Sequence, residues 1–396
     1  MVDQPGEVSL YRVDATPREF LRLESMPALC NALSATEQEA REAPAGDIVL
    51  RLDPITGLIT NSAFDESVFD YSAAYENSLH FSPSFQAYAD ELASRLIDTH
   101  GLKGRRIVEI GSGPGHFLAA LCDQAEATGL GFDPSFDPAR SHPVESDRIQ
   151  IRAEAYPPAD PEAAVDADFI CGRHVLEHLQ DPVGVLRRIR ESIGERLDVG
   201  LYFEVPNTTW ILENRAVWDV IYEHVNYFTE PALDHLLAQS GFERTDGGVS
   251  FGEQYLWVEA SPAPMDRVVD PISSADLERL TKLVESFETD IRGAIERWSR
   301  EVDTMVEAGP VALWGTGSKG VTFLNLVPAG REIASVVDIN PRKHGLFVPG
   351  TGQRVVGPED LIADPPTSVI VMNPLYRDEI AETLSGLGIT ADVVSL

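Results

Sequence analysis

Short apolar runs alternate with amphipathic stretches through the middle of the chain. Four of these runs are brief and mostly apolar, which is typical of buried strands: 106–110, 129–133, 168–171 and 200–205. Around them, apolar residues recur at three- and four-residue steps and predict helices: 88–99, 115–126 and 182–194. Such alternation favours βαβ units, so we predict an α/β fold with a Rossmann-like parallel sheet.

The last third of the chain has a different pattern. After a boundary at 261–264, which reads SPAP, apolar residues repeat at helical spacing from Leu277 to Met305. They predict one long amphipathic helix that ends at Gly309. We expect this helix to pack one domain against another; the alternative is a coiled-coil homodimer. Val311–Trp314 then opens a shorter βαβ pattern, which predicts a second, smaller Rossmann-like domain.

These patterns divide the chain into four segments. The predicted segments are an N-terminal part with weak periodicity (1–85), a first Rossmann-like domain (86–262), a long linking helix (263–309) and a Rossmann-like C-terminal domain (310–396).

The composition excludes several classes of protein. The 396 residues include 31 Lys or Arg against 64 Asp or Glu, which gives a net charge of −33. Because so acidic a surface repels phosphate backbones and anionic lipids, we expect no nucleic-acid and no membrane partner. No apolar run approaches the ~20 residues that span a bilayer, and the N-terminus lacks the pattern of a signal peptide, so we expect a cytoplasmic protein. The chain is acidic and poor in lysine. Such a composition suits a high-salt cytoplasm, where salt screens the repulsion between carboxylates. A GC-rich genome is the alternative explanation for the scarcity of lysine.

The strongest chemical signal follows the run at 106–110, where residues 108–118 read VEIGSGPGHFL. Glycines in such a turn let a ligand lie against the backbone, with the amides of the next helix facing it. Asp133 ends the next strand about twenty residues on, where a carboxylate can accept hydrogen bonds from both ribose hydroxyls. Glycines at every second position differ from the dinucleotide fingerprint.

This pattern resembles the S-adenosylmethionine (SAM) site of class I methyltransferases. The resemblance implies SAM as the cofactor and a set of contacts to it: Glu109, Gly111, Ser112, Gly113, Gly115, Phe117 and Asp133. Glu154 and Ala155 follow the third-strand position, where this fold contacts adenine. Residues 171–182 read CGRHVLEHLQDP, similar to the HVLEHIxDP signature of these enzymes, which puts His174 at the SAM-facing end of its strand. We interpret Glu177 and His178 as capping and orienting the next helix.

The candidate chemistry lies at 218–228, which reads WDVIYEHVNYF. A carbon nucleophile must lose a proton before it can accept a methyl group. A histidine oriented by a carboxylate could take that proton, while a phenol steadies the enolate oxygen. The structural alternative is an aromatic helix start with a buried, hydrogen-bonded histidine.

Here the chain resembles the SAM-dependent C-methyltransferases of nucleotide-sugar biosynthesis. Their hallmark is FEVP followed by YHEHxxYF, and this chain has FEVP at 203–206 and IYEHVNYF at 221–228. The family's leading tyrosine is Ile221 here, and Tyr222 replaces its first histidine. Glu223, His224 and Tyr227 fall on matching positions, so the resemblance implies His224 as the proton-abstracting base and Glu223 as its carboxylate partner. Tyr227, or Tyr222 from its adjacent position, could supply the phenol. Glu204 and Asn207 are the expected substrate contacts.

The C-terminal part extends the resemblance. Residues 311–325 read VALWGTGSKGVTFLN, and 337–351 read VDINPRKHGLFVPGT; both are similar to motifs of the family's C-terminal domain. In relatives this domain helps to form the substrate cleft, so Lys319 is expected to contact a substrate phosphate. Read alone, Gly315, Gly317, Gly320 and Asp338 would indicate a dinucleotide site, but the segment is short for a full dinucleotide domain.

The N-terminal part departs from the family pattern. Relatives open with a zinc module built on two CxxC pairs, whereas here the second place reads DPITGL at 53–58. Cys30, Cys122 and Cys171 are too scattered to replace the missing thiolates, so no metal is predicted. The resemblance covers roughly residues 50–396.

We therefore expect a SAM-dependent enzyme that C-methylates a small polar metabolite such as a nucleotide-linked keto sugar. The alternatives are O- or N-methylation of a small molecule, a pyridine-nucleotide oxidoreductase that uses the C-terminal glycines, and a binding protein that has kept the fold without catalysis.

Overall fold

The computed structural model describes residues 16–68, 78–139, 142–158, 166–265 and 269–396. Residues 1–15 and 69–77 of the predicted N-terminal segment lie outside this range. The strands are β1 Arg18–Pro27, β2 Ala45–Leu52, β3 Ile59–Asn61, β4 Arg106–Ile110, β5 Thr128–Phe132, β6 Ile149–Arg152, β7 Phe169–Arg173, β8 Gly200–Pro206, β9 Asn226–Tyr227, β10 Phe242–Ser250, β11 Tyr255–Pro262, β12 Val311–Trp314, β13 Ser335–Val337, β14 Val355–Val356, β15 Ser368–Val371 and β16 Asp392–Ser395. The α-helices are α1 Glu37–Arg41, α2 Pro83–His100, α3 His116–Ala125, α4 Pro182–Ile193, α5 Thr208–Glu213, α6 Glu230–Gln239, α7 Ser274–Ala308, α8 Ser318–Leu326 and α9 Arg377–Gly386.

The central sheet has the strand order β6-β5-β4-β7-β8-β11-β10. Strands β4 to β8 are parallel, whereas β11 runs antiparallel to both β8 and β10. The four predicted strands correspond to β4, β5, β7 and β8, and the predicted α/β fold is confirmed. In a parallel sheet the carboxyl ends of the strands meet at one edge, so the residues that follow β4, β5, β7 and β8 lie near one another.

The antiparallel pair β10 and β11 was not predicted. Strand β10 reads FERTDGGVS, and most of its side chains are exposed or only half-buried, so it lacks the apolar alternation that signals a strand. Its pairing with β11, which is mostly buried, supplies the stabilisation.

A smaller sheet with the order β1-β2-β3-β9 forms the N-terminal part. Strand β9 comes from the segment that carries the candidate chemistry, so this sheet holds that segment in place. At the turn between β2 and β3, Asp53 Oδ1 accepts hydrogen bonds from the N–H groups of Ile55 and Thr56 at 2.7 and 3.0 Å. A carboxylate therefore closes this turn where the family resemblance would place a zinc-binding cysteine.

The C-terminal sheet is wholly parallel, with the order β14-β13-β12-β15-β16. Helix α7 joins it to the rest of the molecule and buries one face. On that face, Phe287 meets Phe20 of β1 edge-on at 6.4 Å between ring centroids, and Trp298 meets Phe323 of α8 at 5.7 Å. The predicted long helix thus packs the N-terminal sheet against the C-terminal domain. None of the described helices is both long and apolar enough for a membrane span.

Candidate active site

The glycine-rich turn after β4 has the conformation that a close-lying ligand requires. Gly111 and Gly113 both adopt left-handed φ angles, of 67° and 49°. A Cβ atom on Gly111 would come within 2.3 Å of Cγ2 of Val175, whereas a Cβ atom on Gly113 would meet nothing within 4 Å. Gly111 is therefore required for packing, and the space beside Gly113 is open.

Asp133, which follows β5, braces this turn. Its Oδ2 accepts a hydrogen bond from the Gly113 N–H at 2.9 Å, and its Oδ1 accepts from the Ser135 N–H at 2.9 Å. The carboxylate is partly exposed, so it keeps lone pairs for a further donor such as a ribose hydroxyl.

Two buried polar atoms beside the turn have no hydrogen-bond partner: Oε2 of Glu109 and Oγ of Ser112. Burial raises the pKa of Glu109 to about 8. Orphaned polar atoms and an open glycine at one strand end fit a polar ligand that lies against the turn, as the adenosyl group of SAM would.

The other predicted cofactor contacts lie around this edge in different settings. Glu154 and Ala155 are exposed just beyond β6. Phe117 is buried, with the Arg173 guanidinium 4.5 Å above its ring, and a Cβ atom on Gly115 would meet the side chains of β6 at 2.9 Å. Phe117 and Gly115 therefore contribute to the turn through packing.

Glu204 of β8 is buried completely and lies at the centre of a polar network. Its carboxylate accepts hydrogen bonds from Arg173 Nε at 2.9 Å and from the Tyr202 hydroxyl at 3.0 Å. Burial alone would raise the pKa of Glu204, but Arg173 and His174 outweigh it and hold the pKa well below its ordinary value. This geometry gives Glu204 a structural role, in which it holds the ends of β7 and β8 together. It does not favour the predicted substrate contact.

His174, at the end of β7, lies between two carboxylates. Its Nδ1 is 3.3 Å from Glu177 Oε1, and its Nε2 is 3.5 Å from Glu204 Oε1. Burial by itself would lower the pKa of His174, but the two carboxylates outweigh burial and raise it to about 9. The imidazole is therefore protonated at neutral pH.

A cavity of about 240 Å³ lies between the central sheet and the C-terminal domain. Three of the predicted site residues line it: His174, His224 and Lys319. Glu177 and His178, which the sequence indicated only as helix-capping residues, line it as well. The cavity is thus lined by several imidazoles of the first domain and by a basic residue of the second.

His224 and His178 are neighbours in this lining. Their ring centroids are 4.9 Å apart in an edge-to-face arrangement, and His178 Nδ1 lies 3.0 Å from the backbone oxygen of Glu223. Burial, followed by the nearby His178 and His174, lowers the pKa of His224 well below its ordinary value. His224 is therefore a neutral imidazole at pH 7, and its Nδ1 has no hydrogen-bond partner within the described part of the chain.

The remaining residues of the predicted catalytic set are not among the described residues that line the cavity. The Tyr222 hydroxyl lies 2.9 Å from the Asp65 N–H, which donates to it, and the Tyr227 hydroxyl donates to the Ile221 backbone oxygen at 3.0 Å. Glu223 Oε1 accepts from the Cys30 N–H at 3.3 Å. Their polar atoms bind the backbone of the N-terminal sheet and its neighbours, so this geometry does not favour acid–base roles for them.

Asn207 also has a structural arrangement. It caps α5 by accepting hydrogen bonds from the N–H groups of Thr209 and Trp210, and its Nδ2 donates to the Glu253 backbone oxygen at 2.8 Å. The predicted substrate contact of Asn207 is therefore not favoured either.

Lys319 lies in the first turn of α8 and lines the cavity from the C-terminal domain. Its Nζ lies 2.6 Å from the Asp219 carboxylate and 5.1 Å from the centre of the Trp210 ring. The N-cap residue of α8 is Gly317, which offers no side-chain cap, so among the described residues the backbone N–H groups of the first turn remain for a ligand. The buried Asn340 also lines the cavity, and its Nδ2 has no hydrogen-bond partner among the described residues.

Asp338 ends β13 at the position of the ribose-binding carboxylate of a dinucleotide site. Its Oδ2 accepts hydrogen bonds from Thr316 and lies 3.3 Å from Lys343 Nζ, while its Oδ1 accepts from the Asn340 N–H. Burial alone would raise the pKa of Asp338, but Lys343 and these hydrogen bonds lower it. The carboxylate is thus used inside the protein, which does not favour the oxidoreductase alternative.

Comparison with known protein families supplies the class of enzyme. Residues 84–246 match the model of a methyltransferase domain, and residues 263–389 match that of a C-methyltransferase C-terminal domain. The chain is a SAM-dependent methyltransferase. More particularly, it combines the SAM-binding type of domain with the C-terminal domain found in C-methyltransferases.

Solved structures give more distant likenesses, and comparison with curated proteins gives no match. The chain is similar to the N,N-8-amino-8-demethyl-D-riboflavin dimethyltransferase RosA of Streptomyces davawensis, with 23% identity, 45% of this chain and 54% of that chain covered, and a TM-score of 0.36. It is also similar to a SAM-dependent methyltransferase of Aquifex aeolicus, with 17% identity, 49% and 100% covered, and a TM-score of 0.37. The chain thus spans about half the length of RosA, and likenesses this distant say nothing about substrate or mechanism.

Proposed function

We propose that this enzyme transfers a methyl group from SAM to a carbon atom of a small polar metabolite that carries phosphate, such as a nucleotide-linked keto sugar. The observation that carries the proposal is the cavity between the domains, which is lined both by a neutral imidazole, His224, and by Lys319 in the first turn of α8. A carbon acid with an anionic tail needs both features.

The methyl donor belongs at the turn after β4. Gly111 and Gly113 would carry it against the backbone, and Asp133 would accept the ribose hydroxyls. When bound, SAM supplies an electrophilic methyl group on a sulfonium. His174 and Glu177 join this edge of the sheet to the cavity, because they follow β7 directly and line the cavity.

His224 is the proposed base. Its imidazole is neutral at pH 7, its Nδ1 is free of hydrogen bonds, and it faces the cavity beside His178. It can take a proton from the carbon next to the acceptor's carbonyl group and so form the enolate that receives the methyl group. The carboxylate of the predicted partner Glu223 accepts a hydrogen bond from the Cys30 N–H, so His178, whose ring lies 4.9 Å from that of His224, replaces it as the neighbour that orients the base.

Lys319, the N-terminus of α8 and Asn340 Nδ2 would hold the anionic tail. An arriving phosphate would take over the ion pair that Lys319 makes with Asp219 and the unpaired donor of Asn340. Lys319, Asn340 and His224 all line this one cavity, so a single substrate could reach the base with its reactive end and the lysine with its anionic end.

The test is transfer of a labelled methyl group from SAM to candidate nucleotide-linked keto sugars, with the product located by NMR. A new carbon–methyl bond supports the proposal, whereas a methyl group on oxygen or nitrogen rejects C-methylation. His224→Gln should abolish turnover while calorimetry still detects SAM binding; retained turnover would reject the role of the base. Calorimetry with NADPH in place of SAM tests the oxidoreductase alternative.

A further inference from the structure

Glu177, His178 and His224 form a cluster of potential metal ligands on one wall of the cavity. One donor atom of each residue lies within 4.8 Å of the other two. We propose that these three residues bind one divalent transition-metal ion of the Zn²⁺ or Co²⁺ type, and that the bound ion inhibits the enzyme. The inhibition rests on the proposed function, because a metal on His224 removes the lone pair that would take the proton.

The carboxylate of Glu177 is the first observation in support. The residue is 1% exposed, and neither carboxylate oxygen accepts a hydrogen bond from any residue that the structure describes. His174 Nδ1 lies 3.3 Å away, within ion-pair distance, but it makes no aligned hydrogen bond. Because a buried carboxylate with so little solvation is costly, an additional cation at this position would be stabilised.

The imidazole of His178 is the second observation. Its Nδ1 lies 3.0 Å from the Glu223 backbone oxygen, which can only accept, so Nδ1 carries the proton. The lone pair is then on Nε2, the nitrogen available to a metal. Histidine ligands of metals commonly have this outer hydrogen bond to a carbonyl, which fixes the tautomer and the ring orientation.

His224 completes the set with a neutral ring. Its Nδ1 is buried without a hydrogen-bond partner, so no hydrogen bond at that atom must be broken before a metal binds. The backbone fixes the cluster, because the Val225 N–H donates to the Glu177 backbone oxygen at 2.7 Å and so ties the two segments together.

Two imidazoles and one carboxylate suit Zn²⁺, Co²⁺ or Fe²⁺ better than Mg²⁺ or Ca²⁺, which prefer oxygen ligands alone. Ligand atoms on a tetrahedral zinc ion are about 3.3 Å apart, given bond lengths of about 2.0–2.2 Å. The donor atoms of the cluster would have to move closer together to reach this spacing, which rotation of the two half-buried imidazoles allows. If Glu177 binds the metal, His174 can remain protonated, because the Glu204 carboxylate also lies 3.5 Å from its ring.

The test is a titration of the purified enzyme with Co²⁺, followed by its visible absorption bands, in the presence of excess Mg²⁺. Excess Mg²⁺ suppresses non-specific binding to a chain with a net charge of −33. We expect saturation at one Co²⁺ per chain, displacement by Zn²⁺, and at least tenfold weaker binding in Glu177→Gln and in His178→Asn.

His235→Asn is the matched control, because His235 is a buried imidazole with an unpartnered Nε2 that is not part of the cluster. It should bind Co²⁺ as the unaltered enzyme does, and circular dichroism should show that all variants fold. Absence of a Co²⁺ band, or equal binding in all variants, would overturn the site.

Inhibition is measured separately. Zn²⁺ at saturation should abolish turnover, a chelator should restore it, and SAM affinity should not change. Turnover that persists with Zn²⁺ bound would overturn the inhibition. If His224→Gln retains turnover, the proposed base is wrong, but the Co²⁺ titration still decides whether the metal site exists.

Discussion

Alanine at Gly113 should weaken SAM binding while leaving the fold almost intact. Gly113 has a φ of 49°, and a Cβ atom there would enter open space beside Asp133. The only intrinsic cost of the Gly113→Ala substitution comes from the left-handed backbone, which lowers the stability of the fold by roughly 1–2 kcal/mol for an L-residue. The methyl group would occupy the space in which the adenosyl group is proposed to lie.

Two further glycines separate these effects. Gly101, at the end of α2, has a φ of 59° and likewise nothing within 4 Å of a Cβ atom, but it lies outside the site. Gly111 has a similar φ of 67°, but its Cβ atom would overlap Val175 at 2.3 Å. We therefore expect Gly101→Ala and Gly113→Ala to lose the same roughly 1–2 kcal/mol of unfolding free energy, and Gly111→Ala to lose more.

The assay combines denaturant unfolding with calorimetric titration of SAM. Gly113→Ala should bind SAM at least tenfold more weakly than Gly101→Ala, which corresponds to about 1.4 kcal/mol. Equal SAM affinity in these two variants would refute the placement of the donor at this turn. A much larger stability loss in Gly113→Ala than in Gly101→Ala would refute the description of open space.

Three other predictions concern charge. Arg173→Met leaves the buried Glu204 carboxylate without its main partner and should cost about 3–5 kcal/mol of unfolding free energy, measured in urea. The control Arg148→Met removes an exposed ion pair with Asp123 at 3.9 Å and should cost under about 1 kcal/mol. Equal losses in the two variants would contradict the polar network around Glu204. The pKa of Glu109 is raised to about 8 in the folded protein, so its contribution to stability is complete below pH 4.5 and is lost as the pH rises through 8. Glu109→Gln should therefore flatten the decline in melting temperature between these two pH values. Because the pKa of His224 lies well below 6.5, kcat should stay constant down to pH 6.5 and fall only at lower pH; a fall centred at or above pH 6.5 would contradict a neutral, buried base.

The parts of the fold that the sequence predicted are those that local pattern determines. Strand β4 has Ile107 and Val108 buried on opposite faces, so its apolar run is continuous and easily recognised. Strand β10, with Gly247 and Gly248 in its middle, has no such run and depends on pairing with β11. Tertiary pairing of this kind leaves little signal in a single sequence.

The site was predicted in part for the same reason. Gly113 and Asp133 follow neighbouring strands, so sheet geometry brings them together, and the structure has them in contact. In the segment 221–228, the side chains of Tyr222 and Tyr227 pack into the N-terminal sheet, and His178 takes the place beside His224. That arrangement depends on the packing of residues 221–225 against residues 174–178. The sequence of either segment alone does not predict this packing.

The most direct test of the account is a crystal structure of the enzyme with S-adenosylhomocysteine. We expect the adenosyl group against Gly111 and Gly113, the ribose hydroxyls on Asp133, and the sulfur atom facing the cavity that His224 lines. Electron density for the compound at the turn formed by 315–320, or with its sulfur atom closed off from that cavity, would contradict the account.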